Sequence, residues 1–226
     1  MTVKNKQMYD DFQLVYNNLA SQLAPGLDTF EISMYLTKAY FTLVSQSAKQ
    51  YEKSEESRKA LTELVDNVKL QAYLFSNAAD YKITDESVFF KLPEDVLYIV
   101  YEVIEMSKSA DPCIKGRKLE VVPVNHDDFS QVYNNPFKFT LRKALRLDIT
   151  NHDGERLSEI VTKDSHISNY QIRYIRKPKP IILETLSGDD YIEGQQQESE
   201  CELNSILYQD IVRLAAQMAY KDYKAA

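Results

Sequence analysis

A chain of 226 residues with 44% hydrophobic and 27% charged residues has the length and balance of a globular protein with a sizeable core, which excludes a disordered or fibrous polymer. The formal net charge of −7 has the wrong sign for a protein that grips nucleic acid backbone over a broad surface, leaving room only for a small basic patch. Two cysteines without a CxxC pair give no disulfide framework, and no run reaches signal length or the ~18 apolar residues of a membrane span, so a soluble product in a reducing compartment is expected.

Met8, Phe12, Val15, Tyr16, Leu19 and Leu23 recur at helical spacing. Pro25-Gly26 ends that helix, because proline lacks an N–H and glycine tolerates left-handed geometry. Asp28 and Glu31 form a capping-box pair opening a second helix at Asp28 or Thr29. Its stripe is Ile32, Tyr35, Leu36, Ala39, Tyr40, Leu43 and Val44. A third helix is predicted from about Ser54 to Val68, with Ala60, Leu61, Leu64, Val65 and Val68 inward, and the mixed charges from Glu52 to Arg58 form its solvated start.

Beyond Asp80 the pattern changes. Val96 to Ile104 is rich in β-branched and aromatic residues and reads as a buried strand. A helix also fits there, since Pro93-Glu94-Asp95 suits a first turn. Ala110-Asp111-Pro112 reads as a turn, Leu119 to Val124 as a short strand stopped by Pro123, and Asp127 to Tyr133 as one or two helical turns. After the turn at Asn134-Asn135-Pro136, Phe137-Lys138-Phe139 and Leu145 to Ile149 alternate as strands do. Asn151-His152-Asp153-Gly154 reads as a hairpin tip, and Tyr170 to Ile175 as the clearest alternating strand, stiffened at its exit by Pro178 and Pro180. Ser187 to Glu200 reads as a loop; it and Asp80 to Lys91 are candidates for ordering only within an assembly. Ser199 and Glu202 then cap a last helix with Leu203, Leu207, Ile211, Leu214, Ala215 and Met218 on its face.

Helices, then strands, then one long helix make an α+β fold, with N-terminal helices, a central antiparallel β region, and a C-terminal helix packing back on the N-terminal helices. The expected organisation is a single domain over 1–226. Its helical part is 1–79 with 200–226, its β-rich part is 80–186, and its loop is 187–199.

No phosphate-loop, dinucleotide, nucleophile-elbow or zinc-protease motif is present, and five glycines leave little material for a phosphate cradle. His126 with Asp127 and Asp128, and His152 with Asp153, lack the paired spacing of a metal site, and they and His166 read as surface residues. Asp127-Asp128 and Asp189-Asp190 read as solvated pairs rather than facing catalytic carboxylates. Cys113 is a turn cysteine; Cys201 opens the last helix, where a thiol pKa can fall, but a nucleophile also needs a placed base. Basic clusters stand at Lys115-Gly116-Arg117-Lys118, at Arg142, Lys143 and Arg146, and at Arg173, Arg176, Lys177 and Lys179 beside Tyr170 and Tyr174. Single-stranded nucleic acid suits the last of these. In an acidic chain a polar sheet face, or contact with an acidic neighbour, is preferred.

Three ordered stretches carry a resemblance. They are Phe30 to Val44 with its Leu36-Thr37-Lys38-Ala39 core, Tyr170 to Leu183 with its Pro178-Lys179-Pro180 exit, and Cys201 to Ala219; Val122 to Phe129 and Asn134 to Phe137 add to them. In this order they resemble the neck proteins of tailed bacteriophages, especially the ring proteins of crAss-like phages. The resemblance implies a structural virion protein without catalytic residues, cofactor or metal, made in the host bacterial cytoplasm. It implies a twelve-copy ring beneath the portal, joining capsid to tail, with DNA passing through its channel without sequence-specific binding. Implied partners are further copies, the portal and the adjacent neck or tail ring, with no membrane. The competing readings are an enzyme with a dispersed Asp/Glu/His site and a nucleic-acid-associated module using Arg173 to Lys179. On the structural reading, Tyr174→Asp or Leu214→Asp damages folding or assembly rather than turnover.

Overall fold

The computed structural model describes residues 1–20, 25–75, 78–108, 118–163, 166–204 and 207–225. Leu23, the turn at Ala110-Asp111-Pro112, Cys113 and the basic residues Lys115 and Arg117 lie outside them. The helices are α1 (Val3–Ala20), α2 (Thr29–Lys49), α3 (Glu55–Ala60), α4 (Ala78–Tyr81), α5 (Phe129–Tyr133) and α6 (Tyr208–Ala225). The strands are β1 (Val65–Leu70), β2 (Val88–Lys91), β3 (Val96–Lys108), β4 (Lys118–Pro123), β5 (Lys143–Thr150), β6 (Arg156–Val161) and β7 (His166–Arg176). The class is α+β, and the chain forms two compact units: Met1–Val65 with Lys177–Ala226, and Asp66–Arg176.

In the helical unit α6 packs on both α1 and α2. The predicted capping box is present: the Asp28 carboxylate accepts from the Glu31 N–H at 2.7 Å, and Glu31 accepts from the Asp28 N–H at 3.0 Å. Ile32, Leu36, Ala39, Tyr40 and Val44 of α2 are fully buried. Between them, two hydroxyls fasten the extended chain that follows the prolines. Thr37 Oγ1 exchanges hydrogen bonds with Ile181, donating to its carbonyl and accepting from its N–H, each at 3.1 Å. Ser33 Oγ accepts from the Leu183 N–H at 3.1 Å, and Asn5 Nδ2 on α1 donates to the Ile182 carbonyl at 3.1 Å. Buried main-chain groups need such partners, so these side chains replace a neighbouring strand for a segment whose apolar residues are wholly inside.

Two predicted helices are corrected. The third ends at Ala60, Thr62–Leu64 form a 3-10 turn, and Val65 and Val68 enter β1 instead. β-Branched residues gain more from the sheet edge than from continuing so short a helix. The last helix begins at Tyr208, not near Ser199. Ser199 pairs its backbone with Ile182 and donates its hydroxyl to the Pro180 carbonyl, while Glu202 accepts the Lys179 N–H at 3.0 Å. Both residues join extended segments instead of capping. The buried face of α6 is Ile211, Val212, Ala215, Ala216 and Ala219: of the predicted face Ile211 and Ala215 lie on it, Leu214 and Met218 are half-buried, and Leu203 and Leu207 precede the helix.

The β-rich unit carries a seven-stranded sheet in the order β1-β7-β3-β4-β5-β6-β2. β3–β7, β3–β4, β5–β6 and β2–β6 are antiparallel, as expected for a mostly antiparallel region, whereas β4–β5 is parallel. A parallel pair cannot close with a hairpin. The chain therefore makes an excursion from Val124 to Arg142, containing α5, before re-entering the sheet. The edges also approach each other: Tyr73, three residues past the end of β1, donates to the Phe89 carbonyl of β2 at 2.7 Å. Three residues span only ~10 Å, so the sheet is curled towards closure. Its interior holds Phe90, Ile104, Tyr170, Ile172 and Tyr174, with Phe90 and Tyr170 rings 5.1 Å apart. A second cluster of Phe129, Phe139, Leu145, Leu147 and Val161 lies under the excursion.

Phe137-Lys138-Phe139 is a turn, not the predicted strand. The Asn135 side-chain oxygen accepts from the Phe137 N–H at 2.9 Å, and its carbonyl accepts from the Phe139 N–H at 2.9 Å. Such an Asx turn competes directly with strand pairing. The hairpin tip at Asn151–Gly154 joins β5 to β6 as predicted, with Gly154 at φ +78°, where a side chain is disfavoured. Ser187 to Glu200 forms a loop, tied by the Ile182–Ser199 and Ile192–Gln195 bridges.

Candidate interaction surfaces

The sequence candidates for chemistry are dispersed. His126 Nε2 lies 3.1 Å from the Asp148 carbonyl oxygen, and the His152 ring meets the edge of Tyr81 at 5.4 Å. Asp127 and Asp128 are on the excursion, and Asp189 and Asp190 are exposed in the long loop. Cys201 lies in the extended segment before α6, where burial pushes its thiol up to about 11, the reverse of activation at a helix start. Among the described residues, no three His, Cys, Asp or Glu side chains group to hold a metal.

The basic clusters resolve differently. Lys177 pairs with Glu193 at 2.6 Å, Arg173 stands 6.0 Å from the Tyr101 ring centre, and Tyr174, buried, donates to Asp95 at 3.3 Å. Arg146 leaves its cluster for the interior. Its Nη1 is 2.9 Å from Glu102 Oε1 and its Nε 3.2 Å from Asp148 Oδ1, while Tyr170 donates to Glu102 Oε2 at 2.6 Å and Ser158 to Asp148 at 2.9 Å. Arg146 and Glu102 side chains are only 11% and 10% exposed. Burial pushes the Glu102 carboxyl above its ordinary range despite Arg146, and pushes the Tyr170 phenol far up. The sequence signal for this pair was an acid inside the apolar run Val96–Ile104 and an arginine inside the alternating segment Leu145–Ile149; their meeting is set by the fold.

A second network is pH-sensitive. Glu155 accepts from Lys91, from the Tyr73 hydroxyl at 2.8 Å and from Asn151 Nδ2 at 2.9 Å, and these hold its carboxyl down at about 2. A carboxyl depressed in the fold stabilises fully above its unfolded pKa of about 4.5 and loses that effect as pH falls towards about 2. Acid unfolding of the β-rich unit is therefore expected to steepen across that window, and Glu155→Gln to flatten the slope there in a pH series of thermal unfolding.

Two surface features remain. A cavity of ≈ 1120 Å³ lies between the excursion and strands β4 and β5, with Val124, Val132, Lys138, Lys143 and Leu145 in its lining. Phe137, also in that lining, is 93% exposed, with Leu141 45% exposed nearby in sequence. In the helical unit a cavity of ≈ 730 Å³ is lined by Lys4, Glu63, Cys201 and Tyr208 among others. No helix among the described residues is long and apolar enough to cross a membrane.

A buried ion pair ties the sheet from inside, and exposed aromatic groups, a residue type enriched where proteins make contact, stand on hydrogen-bonded turns outside. The comparisons give that contact a setting. The whole chain, residues 1–226, matches the phage tail ring protein 3/4 family, and it belongs to that family. It is similar to Ring protein 3 of Bacteroides phage crAss001, with 33% identity over 95% of this chain and 94% of the relative. It is also similar to Ring protein 4/5 of the same phage, with 29% identity over 95% of this chain and 91% of the relative. The chain is thus a structural ring protein of the crAss-like phage type.

Proposed function

We propose that the chain is a non-enzymatic subunit of a closed ring in the virion neck, between portal and tail, assembled from about twelve copies on the resemblance to such rings. All 226 residues then act as one connector-like domain, built in the host cytoplasm and carried into the virion. Further copies, the portal and the adjacent neck or tail ring are its partners. DNA passes through the channel without sequence-specific binding, aided by the net charge of −7 where acidic groups line the passage. The single observation carrying this reading is the family match over the full chain, shared with two relatives named as ring proteins.

The test is negative-stain imaging of the purified chain, alone and mixed with the portal of the same phage. Closed rings with one fixed symmetry, stacking coaxially on the portal, are the expected result. A chain that stays single-copy and ignores the portal overturns the reading.

A further inference from the structure

The turn after α5 has an unusual surface. Residues 129–147 contain four basic and no acidic side chains. Phe137 stands 93% exposed between Asn135, whose side chain fixes the turn, and Phe139, which anchors it in the core at 0% exposure. With Leu141 45% exposed four residues on, Phe137 gives the turn an apolar tip beside its basic side chains. Arg146 is engaged inside, whereas Lys138, Arg142 and Lys143 make no ion pair among the described residues.

The opposite character occurs in the other unit. Residues 184–202 contain seven acidic and no basic side chains. Glu193, Glu198 and Glu200 pair with Lys177, the N-terminus and Lys4. Glu184, Asp189 and Asp190 make no ion pair among the described residues, and Tyr191 beside them is 57% exposed. The tip is held in shape: Gln196 Nε2 donates to the Gly188 carbonyl at 2.9 Å and to the Asp190 carbonyl at 3.2 Å, and the Leu186 N–H donates to the Gln196 carbonyl at 2.8 Å.

We infer that the 137–143 turn of one copy docks the 184–191 loop of the next copy, Lys138 and Arg142 meeting Asp189 and Asp190, and Tyr191 entering the cavity beside Phe137. This rests on the ring reading above. A ring requires a heterologous contact, in which one patch meets a different patch, and two such patches of opposite sign and shared aromatic character satisfy it on one chain. Asp127 and Asp128 also line the cavity, and they set register by repelling an acidic loop seated too deeply.

The experiment is sedimentation velocity of the full chain at low and high salt, with paired charge reversals. Lys138→Glu with Arg142→Glu, or Asp189→Lys with Asp190→Lys, is expected to weaken assembly about tenfold or more at low salt. Combining all four in one chain recovers much of it, because the contacts of Lys138 and Arg142 with Asp189 and Asp190 then have their signs exchanged. Phe137→Ser weakens assembly at every salt concentration, and circular dichroism of these exposed-site variants matches the parent. Wild-type assembly indifferent to both reversals, or no recovery in the fourfold variant, overturns the docking assignment and leaves the ring standing. Reversals that spare the homo-oligomer but abolish portal binding also overturn it, assigning the turn to the portal. A wild-type chain that never assembles overturns the ring reading itself.

Discussion

Arg146→Ala is expected to destabilise the β-rich unit by about 3–5 kcal/mol, the cost of leaving a buried carboxylate without its partner. Glu102 would keep only the Tyr170 hydroxyl, in a site where its own carboxyl already titrates high because water is excluded. Asp148 would keep Ser158. Desolvation is the largest influence on the Glu102 carboxyl, and a buried ion pair generally adds little over well-packed apolar side chains of similar volume. Removing both charges by Arg146→Met with Glu102→Leu should therefore recover most of the loss. Arg146→Lys should be intermediate, since an ammonium cannot span Glu102 and Asp148 with one planar fork. Urea unfolding followed by far-ultraviolet circular dichroism reads all three. An alanine variant as stable as the parent would mean that water reaches Glu102 in solution.

The pair shows where sequence reading stopped. Elements set by local chemistry were legible: the Asp28–Glu31 box, the Asn151–Gly154 tip and the alternation around Tyr170 follow from short-range rules, whereas at Val96 to Ile104 a strand is preferred with a helix still open. Elements set by long-range partners were not. Val65 and Val68 fit a helical stripe as well as a strand, and only the sheet edge decides between them. Ser199 and Glu202 have cap spacing but are claimed by Ile182, Pro180 and Lys179 across a separation of about twenty residues. Phe137-Lys138-Phe139 alternates, yet Asn135 supplies a nearer partner for the backbone. The candidate surface was half visible. Arg142 and Lys143 stood out as basic, but the exposure of Phe137 and the loss of Arg146 to the interior depend on the fold.

Neighbouring positions on α6 differ enough in burial for the difference to be measured. The predicted face holds both Leu214 and Ala215; in the structure Leu214 is half-buried, while Ala215, Ala216 and Ala219 form the small-residue surface on which α6 packs against α1 and α2. Ala215→Asp is therefore expected to cost more than about 4 kcal/mol, placing a carboxylate in a 0%-exposed position on the helix that packs against α1 and α2. Leu214→Asp loses only part of one side chain's burial, and its carboxylate can turn to water, so about 1–2 kcal/mol is expected. Thermal unfolding of the two variants side by side separates the helix positions: equal losses, or a larger one for Leu214→Asp, would put Leu214 as deep inside as Ala215 and overturn this assignment of the face. The sign of the difference also bears on assembly. A subunit whose α6 is disrupted loses its helical unit before any ring contact forms, so Ala215→Asp should remove folded subunits, whereas reversal at Lys138 and Arg142 should leave folded subunits that do not join.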